Sequence, residues 1–305
     1  MSNIPHSNPP LPVSSSTSQP QLSIIIVTWN VRELLRANLA RLFSLSSACS
    51  FEVFIIDNAS HDGTAYMVRK EFPRATLITN AWDAGFAGPN NQALRLAKGE
   101  VVILLNPDML VEEGALDVTY KTLMEDPSIG VMGIKLLGQN GKPINSVRRD
   151  PDVWSQLGIL LKLPHLFPHL NQRYLYTDFD YERTQDVDHV RGSFFAFRRE
   201  LLRTVGYLDA GYHLWFEEVD YCKRVRQTGM RIRYVADAFA HDYVGKGFEQ
   251  MKRLETQRIF SKSMIRYFHK WQPGWRPILL TLARPIGLVA AAGADVWNAW
   301  KSEHL

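Results

Sequence analysis

The chain has 305 residues, of which 46% are hydrophobic and 22% are charged, a composition typical of a globular protein with one large domain or one domain and an appendage. The net charge of +4 is mild, so it permits an anionic surface or substrate without requiring one, and we expect no nucleic acid partner. The cysteines, Cys49 and Cys222, lack paired spacing, which argues against a disulfide framework or a thiolate zinc site and favours a reducing cytosol.

Residues 1–20 are rich in Pro and Ser and contain no apolar segment of the kind found in a signal peptide. We therefore expect a disordered leader at 1–20. A main domain at 21–248 and a C-terminal helical extension at 249–305, for which membrane association is an open alternative, complete the predicted organisation.

Apolar runs alternate with amphipathic helical patterns between residues 22 and 125. The predicted strands are 22–28, 51–56, 76–78 and 101–105, and the predicted helices are 31–46, 64–71, 90–97 and 114–125. Such alternation predicts an α/β fold with a parallel sheet covered by helices on both faces. Ligands of these sheets bind outside the carboxyl ends of the strands.

Polar side chains follow each of the predicted strands. They are Thr28, Asn30, Asp57, Asn80, Asn106 and Asp108. Each alone also fits a turn or a helix cap. Their recurrence at successive strand ends indicates a binding site.

Two of these carboxylates suggest specific chemistry. Asp57 can accept a hydrogen bond from a base imide N–H such as that of uracil or thymine, with Thr28 and Asn30 beside the same nucleoside. Asp108 is a candidate metal ligand, because diphosphate leaves poorly unless a hard divalent cation on oxygen ligands neutralises its charge. Asn106 can share a water or a sugar contact with it.

A cluster of acids, Glu217, Glu218 and Asp220, stands at the start of a basic predicted helix. A helix start alone favours acidic residues. Because the apolar pair Trp215-Phe216 precedes the cluster, a raised carboxyl pKa and a role as general base are also expected, with a second acid positioning the hydroxyl.

His241 follows a predicted strand at 232–240 and can complete a metal site, although a lone histidine is usually structural. The segment Gly245-Lys246-Gly247 is a candidate lid over phosphates but does not form a P-loop motif. Residues 140–190 predict a loop-rich, aromatic-rich insertion, in which we expect no metal role for His165 or His169.

The C-terminal residues 249–271 predict a cationic amphipathic helix, and residues 275–300 are strongly apolar. Charges and prolines interrupt the apolar run, so we expect no stretch of about 18 clean apolar residues and no spanning helix. An interfacial membrane segment, a helix packed on the domain and an oligomer contact remain open alternatives.

These motifs together resemble the inverting glycosyltransferases of family 2, with the GT-A fold, and most closely the bacterial rhamnosyltransferase-like members. The resemblance runs from Leu22 to about Gly247 and is carried by SIIIVTWN, IIDNASHDGT, NAWDAGFAGPNNQAL, LLNPDM, RGSFFAFRRE, WFEEVDYCKRVRQTGMRI and HDYVGKG. It implies a Rossmann-like, mixed but mainly parallel sheet flanked by helices, with a C-terminal helical extension.

The resemblance also implies roles for individual residues. Nucleotide contacts are implied for Thr28, Asn30, Asp57, Asn80, Gly85, Phe86 and Asn91. The implied ligands of Mg²⁺ or Mn²⁺ are Asp108 and His241, and the implied catalytic acids are Glu218 as base and Glu217 as its neighbour. Contacts to the donor or acceptor sugar are implied for Asn106, Arg191, Gly192, Ser193, Trp215 and Asp220.

Two departures from the family pattern matter. Asn106 stands where the first acid of the D-x-D motif is expected, which weakens metal affinity in principle. The base position reads Glu-Glu where Glu-Asp is commoner, so the choice between Glu217 and Glu218 stays open.

The expected activity is inverting transfer of rhamnose or a hexose from a dTDP- or UDP-sugar to a hydroxyl of a glycan or lipid-linked glycan, in cell-surface polysaccharide synthesis. We expect a cytoplasmic protein, with peripheral contact at the inner face of the cell membrane and homo-oligomers as open alternatives. The rival hypotheses are a catalytically silent sugar-nucleotide-binding or scaffold protein and a sugar nucleotidyltransferase. The sequence does not determine the donor sugar, the acceptor or the linkage.

Overall fold

The structure, a computed structural model, describes residues 19–163, 167–242 and 251–304, and for Pro168 and residues 296–304 it describes the backbone alone. The predicted leader lies outside the described residues except for residues 19 and 20. His165 and the segment Gly245-Lys246-Gly247 also lie outside them.

Strands and helices alternate in the first half of the chain, as predicted. The strands are β1 Leu22–Thr28, β2 Phe51–Asp57, β3 Thr76–Thr79, β4 Val101–Leu105, β5 Met109–Val111, β6 Ile129–Leu137, β7 Val147–Arg148, β8 Gln185–Val187, β9 His189–Val190, β10 Phe194–Arg198 and β11 Arg231–Asp242. The helices are α1 Arg32–Ser44, α2 Thr64–Glu71, α3 Ala87–Leu94, α4 Ala115–Glu125, α5 Val153–Leu160, α6 Gln172–Leu175, α7 Leu201–Thr204, α8 Glu217–Gln227, α9 Arg253–Trp271 and α10 Trp275–His304.

Within the described residues, nine strands form one sheet in the order β3-β2-β1-β4-β10-β6-β11-β5, with β8 added alongside β11. β1 pairs in parallel with β2 and β4, and β2 pairs in parallel with β3. β10 enters antiparallel between β4 and β6, and β11 is parallel to β6. The prediction of a mixed, mainly parallel sheet with flanking helices is confirmed.

Side chains alternate between the two faces of the sheet along each strand, and helices cover both faces, so both are buried. Ile24 and Ile26 of β1 pack in one apolar layer, which includes buried residues of α1, α2 and α4. Ile25 packs in the opposite layer with residues of α3, α7 and α8. The carboxyl ends of β1, β2 and β4 therefore open at one edge that the helices leave uncovered.

The sequence analysis missed the central strand β6. Its two glycines, Gly130 and Gly133, weaken a strand pattern. Both accept close neighbours instead: a Cβ atom at Gly133 would lie 2.8 Å from Cβ of Val190, and one at Gly130 would lie 2.4 Å from Val225 Cγ1. Tertiary packing therefore outweighs the local preference in this strand.

The C-terminal helices α9 and α10 form a hairpin that packs on the main sheet domain through a third apolar cluster. That cluster joins Met264, Tyr267 and Phe268 of α9 to Phe216 and Val219 at the start of α8. The division of the chain at residue 248 stays a prediction, but α9 shares its core with the segment that begins α8.

Helix α10 corrects one expectation. Its segment Trp275–Asp295 is long and apolar enough to cross a membrane by length and composition, and 28% of its most apolar stretch is buried. The prolines do not interrupt the segment as expected, because Pro285 lies inside a continuous helix and does not end it, whereas Arg276, Arg284 and Asp295 still interrupt the apolar run. Length and composition alone do not separate a spanning helix from one that packs against the protein.

Candidate active site

A cleft of about 630 Å³ opens at the carboxyl ends of β1, β2 and β4. Of the predicted site residues it brings together Thr28, Gly85, Phe86, Asn106 and Asp108. Its other lining residues are Val27, Trp29, Val31, Asn58, Asp83, Pro107, Leu214 and Met251. Apolar walls with a few convergent polar groups are typical of small-molecule sites.

A hydrogen-bond network fixes one wall of this cleft. Asn58 Nδ2 donates to Asp83 Oδ1 at 3.1 Å and to the Gly85 carbonyl at 2.8 Å. Asn80 does not line the cleft, but its Nδ2 donates to Asn58 Oδ1 at 2.9 Å. His213 Nε2 lies 3.5 Å from Asp83 Oδ2 and lowers the pKa of Asp83, so this carboxylate stays ionised.

The sequence analysis missed Asp83 and Asn58 as site residues. The signal for Asp83 was present: its Oδ1 also accepts the Gly85 backbone N–H at 2.9 Å, the local turn that an Asp two residues before a Gly commonly makes. Asn58 directly follows Asp57 at the end of β2, and the sequence pattern alone does not separate the roles of these two neighbours.

Gly85 is required where the loop meets the segment before α8. Its φ is +75°, and a Cβ atom there would lie 2.2 Å from the backbone oxygen of His213. The next residue, Phe86, donates its backbone N–H to that same oxygen at 2.8 Å. This close approach holds the ring of Phe86 at the cleft.

Three further predicted nucleotide contacts do not line the cleft. Asp57 is buried and accepts the Ser60 N–H at 3.1 Å, and Asn30 accepts the His61 N–H at 2.8 Å. Asn91 Nδ2 donates to the Leu208 carbonyl at 2.8 Å, and its Oδ1 accepts the Leu208 N–H at 3.1 Å. Their contacts to a ligand stay predictions, since the structure shows them supporting loops.

Thr28 differs from these three. Its Oγ1 is buried at the cleft and has no hydrogen-bond partner among the described residues. Buried hydroxyls are normally satisfied, so a bound ligand is a reasonable partner.

A second cleft of about 430 Å³ adjoins the first and shares Phe86, Asn106 and Leu214 with it. It collects most of the predicted sugar-site and catalytic residues: Arg191, Gly192, Ser193, Trp215, Glu217 and Glu218. Antiparallel pairing of β10 with β4 explains part of this, because it places Ser193 beside Asn106, whose N–H donates to the Ser193 carbonyl at 2.9 Å.

The two acids enter this cleft from a strained turn. Trp215 and Phe216 have φ of +65° and +70°, a region that costs side-chain-bearing residues about 1–2 kcal/mol each. The buried ring of Phe216 packs on Phe260 and Tyr267 of α9, with centroids 5.6 and 5.5 Å away. Tertiary packing therefore holds the strained turn in place.

The electrostatic settings of the two acids differ. Burial and the neighbouring charge of Glu218 raise the pKa of Glu217 well above its usual value. Burial also raises the pKa of Glu218, but Arg148 and Arg191 act in the opposite direction. Glu217 is therefore the acid that holds a proton more firmly, and Glu218 is the one that ionises first.

The structure does not bring Asp220 to the cleft. It is fully buried and pairs with Arg224 at 2.9 Å and Lys270 at 2.6 Å, and it accepts the Trp271 indole N–H at 2.8 Å. Two residues along a helix rotate a side chain by about 200°, so Asp220 faces away from Glu218. Asp220 thus holds α8 against α9, and its contact to a sugar stays a prediction.

The predicted metal ligands lie at neighbouring strands, since His241 pairs in register with Leu110, two residues after Asp108. Asp108 lines the first cleft and is 6% exposed, whereas His241 does not line it and has its Nε2 3.6 Å from Glu112 Oε1. Within the described ranges, no group of three His, Cys, Asp or Glu side chains is arranged to hold a metal ion. The Asp108 carboxylate in the cleft fits a divalent cation that takes other oxygen ligands from a diphosphate.

Comparisons with known proteins agree with this geometry. The family model of glycosyl transferase family 2 matches residues 23–206. The chain is 24% identical over 301 residues to the low-salt glycan biosynthesis hexosyltransferase of Haloferax volcanii, covering 89% of this chain and 88% of that protein. It is 25% identical over 284 residues to the N-acetylglucosaminyl-diphospho-decaprenol L-rhamnosyltransferase of Mycobacterium tuberculosis, covering 88% and 91%.

Among solved structures, the fold is similar to that of a mannosyltransferase from Pyrobaculum calidifontis in complex with GDP-Man and Mn²⁺. The TM-score is 0.57 with 24% sequence identity, and the match covers 93% of this chain and 76% of that one. This likeness establishes the glycosyltransferase GT-A fold, in agreement with the topology of the sheet.

Proposed function

Because the chain belongs to glycosyl transferase family 2, we propose that it transfers a sugar from a nucleotide-diphosphate donor to a hydroxyl of a glycan acceptor, with inversion at C1. One observation carries this proposal: two adjoining clefts share Phe86, Asn106 and Leu214. The first holds Asp108 and the second holds Glu217 and Glu218. The donor nucleotide occupies the first cleft, and its sugar lies where the two meet.

In the proposed mechanism the carboxylate of Glu218 takes the proton of the acceptor hydroxyl. The hydroxyl oxygen then attacks C1 from the face opposite the diphosphate, and the C1–O bond breaks with its electron pair going to the diphosphate. A divalent cation held by Asp108 would neutralise the charge of the leaving group. Glu217 keeps its proton and orients the acceptor by donating a hydrogen bond.

The choice of Glu218 as base rests on charge and placement. A general base must be ionised, and the neighbouring Arg148 and Arg191 favour the carboxylate form of Glu218. Glu217 has no such cation among the causes of its pKa shift. Glu218 also lines both the second cleft and the cavity behind it.

The finer proposal is transfer of rhamnose or another hexose from a dTDP- or UDP-sugar, with Mg²⁺ or Mn²⁺, in cytoplasmic synthesis of a cell-surface polysaccharide. The support is that two relatives of similar length are a hexosyltransferase and an L-rhamnosyltransferase whose printed name includes a lipid diphosphate. A catalytically silent sugar-nucleotide-binding protein is the rival outcome.

Donor binding tests this proposal. We expect one sugar nucleotide from a panel of UDP-, dTDP- and GDP-sugars to bind with Mn²⁺, and Asp108→Ala to weaken that binding by about tenfold or more. Isothermal titration with and without Mn²⁺ measures it. The matched control is Asp178→Ala, which removes an exposed aspartate outside both clefts and should bind like wild type.

If donor binding depends neither on Mn²⁺ nor on Asp108, the proposal of metal-assisted transfer is wrong. If a donor binds with metal but its sugar is neither transferred nor hydrolysed, the hypothesis of a catalytically silent binding protein replaces the proposal of an enzyme.

The helical hairpin supports a peripheral membrane contact. Along one face of α10 the apolar side chains Trp275, Ile278, Leu282, Ile286 and Val289 are 51–72% exposed. The neighbouring helix α9 exposes Arg258 and Lys262, for which no ion pair is found among the described residues. An apolar stripe next to a basic one is suited to the surface of an anionic bilayer. We propose that this face rests on the inner surface of the cell membrane.

Vesicle flotation tests this contact. We expect the protein to float with phosphatidylglycerol-containing vesicles and Leu282→Glu to reduce the bound fraction about tenfold, since burying one leucine side chain is worth about 1.5–3 kcal/mol. The control is Leu96→Glu, which changes a 51% exposed leucine outside the hairpin. Equal loss in both variants, or none in either, contradicts the proposal, and resistance to alkaline extraction would indicate a spanning helix instead.

A further inference from the structure

A third cavity, of about 610 Å³, lies directly behind the acid pair. It shares Arg191, Trp215 and Glu218 with the second cleft, so Glu218 stands at the passage between them. The remaining lining residues are Ser146, Arg148, Tyr174, His189, Phe216, Val219 and Phe260.

Arg148 is a cation in this cavity that has no close ion pair among the described residues, although the charge of Glu218 acts on it from further away. Its guanidinium lies over the ring of Tyr174 at 5.6 Å, and its Nε is buried without a hydrogen-bond partner among the described residues. No carboxylate in the described part of the chain lies within ion-pairing distance of it, whereas Arg226 pairs with Asp150 at 2.5 Å. A guanidinium with a buried, unsatisfied N–H and no carboxylate in ion-pair contact is suited to binding an anion.

Two further polar groups around Arg148 lack partners. Ser146 Oγ and His189 Nδ1 are both buried and make no hydrogen bond within the described residues. His189 is the cross-strand neighbour of Arg148, and burial lowers its pKa to about 3, so its imidazole is neutral. A guanidinium, a hydroxyl and an imidazole nitrogen therefore converge as unused hydrogen-bonding groups.

Phosphate is the anion that this set suits best. Its three oxygens accept several charge-assisted hydrogen bonds at once, and arginine binds them in a bidentate manner. Arg191, which is 3.5 Å from Asp242, adds a second cation at the passage. The aromatic walls of Tyr174 and Trp215 provide flat apolar faces for the ring of a sugar.

We propose that this cavity binds a phosphate or diphosphate group on the acceptor sugar, with Arg148 as its main ligand, and so selects acceptors that carry such a group near the attacking hydroxyl. This inference rests on the proposed function, because it places the acceptor beside Glu218. The phosphate source is either a free sugar phosphate or a lipid diphosphate, and the experiment separates the two.

The test fills the donor cleft first, with a saturating nucleoside diphosphate and Mg²⁺, and then titrates glucose 1-phosphate into the full-length protein. We expect binding that methyl glucoside and glucuronic acid do not reproduce, with inorganic phosphate as a competitor. Arg148→Met should weaken it by about tenfold or more, the range for losing a charged hydrogen bond. The matched control is Arg149→Met, since the Arg149 guanidinium lies over Tyr176 at 4.2 Å, outside the cavity.

A second readout separates binding from folding. Removing a buried cation that has no close ion pair should leave Tm unchanged or raise it, whereas loss of a merely structural arginine would lower it. Arg148→Lys keeps the positive charge but not the bidentate guanidinium, so it should bind more tightly than Arg148→Met and less tightly than wild type. A lower Tm with unchanged phosphate binding in Arg148→Met would show a structural role only.

The inference fails if glucose 1-phosphate binds no better than methyl glucoside, if glucuronic acid binds better than both, or if Arg148→Met and Arg149→Met behave alike. A farnesyl-diphosphate-linked sugar that binds more tightly than glucose 1-phosphate would identify the lipid-linked source, and the reverse order the free one. Donor binding and hydrolysis measured on the same preparations report the proposed function separately, so its failure is distinguishable.

Discussion

Glu218→Gln is expected to lower the turnover of sugar transfer by about 10²–10⁴-fold, because an amide cannot take the proton of the acceptor hydroxyl. Donor binding should stay near the wild-type value, since Glu218 lines the second cleft and the cavity behind it but not the first cleft. Initial rates with donor and acceptor at saturation measure the first effect, and donor titration measures the second. Wild-type-like turnover in this variant would exclude Glu218 as the base.

Glu217→Gln is the matched control for this substitution. Because burial and the charge of Glu218 favour the protonated form of Glu217, the amide replaces a group of similar shape and donor capacity, and we expect a loss of less than about tenfold. A larger loss in Glu217→Gln than in Glu218→Gln would exchange the roles of the two acids.

The pH dependence of the same initial rates tests whether Glu218 acts in its ionised form. The base acts as a carboxylate, and burial raises the pKa of Glu218 above its usual 4.5. Turnover should therefore be full above this raised pKa and fall as the pH drops through it. The acid limb should be absent from the residual activity of Glu218→Gln.

Gly85→Ala is expected to lower the free energy of unfolding by about 2–4 kcal/mol and to weaken donor binding at the same time. Its φ of +75° disfavours a side chain, and the added Cβ would lie 2.2 Å from the His213 backbone oxygen. Relief requires the loop of Asp83 and Phe86 to move away from that segment, and this loop lines the first cleft. Urea unfolding and donor titration measure the two losses.

The control is Gly141→Ala, which has nearly the same φ, +70°, and no atom within 4 Å of the added Cβ. It should lose only about 1–2 kcal/mol from backbone conformation and bind donor normally. Equal losses in the two variants would mean that the contact with His213 contributes nothing.

The first half of the fold could be read from the sequence because its strands are buried on both faces and its helices are amphipathic. The predicted bounds of β1 and β4 match those of the structure, and α3 begins at Ala87, three residues before its predicted start. Strand β6 was missed because Gly130 and Gly133 interrupt its apolar pattern, and only the fold shows that Val190 and Val225 pack against them. The apolar character of α10 was underestimated because interior prolines were given too much weight.

Candidate site residues could be predicted where they end strands, as Thr28, Asn106 and Asp108 do. Strand ends fix where a residue lies but not where its side chain points. Asp220 faces away because of helical phase, and Asn91 is occupied by Leu208. Arg148 and His189 carry no motif, and only the pairing of β7 with β9 brings them behind Glu218.

The strained turn at Trp215 and Phe216 has a consequence for engineering. Glu217 and Glu218 follow a segment that packs on the rings of Phe260 and Tyr267 of helix α9. Grafting this cleft onto another scaffold would thus fail unless α9 travelled with it. Conversely, repacking the interior of α9 offers a way to shift Glu217 and Glu218 by fractions of an ångström. Because Phe260 also lines the third cavity, such a change would move the acids and that wall together.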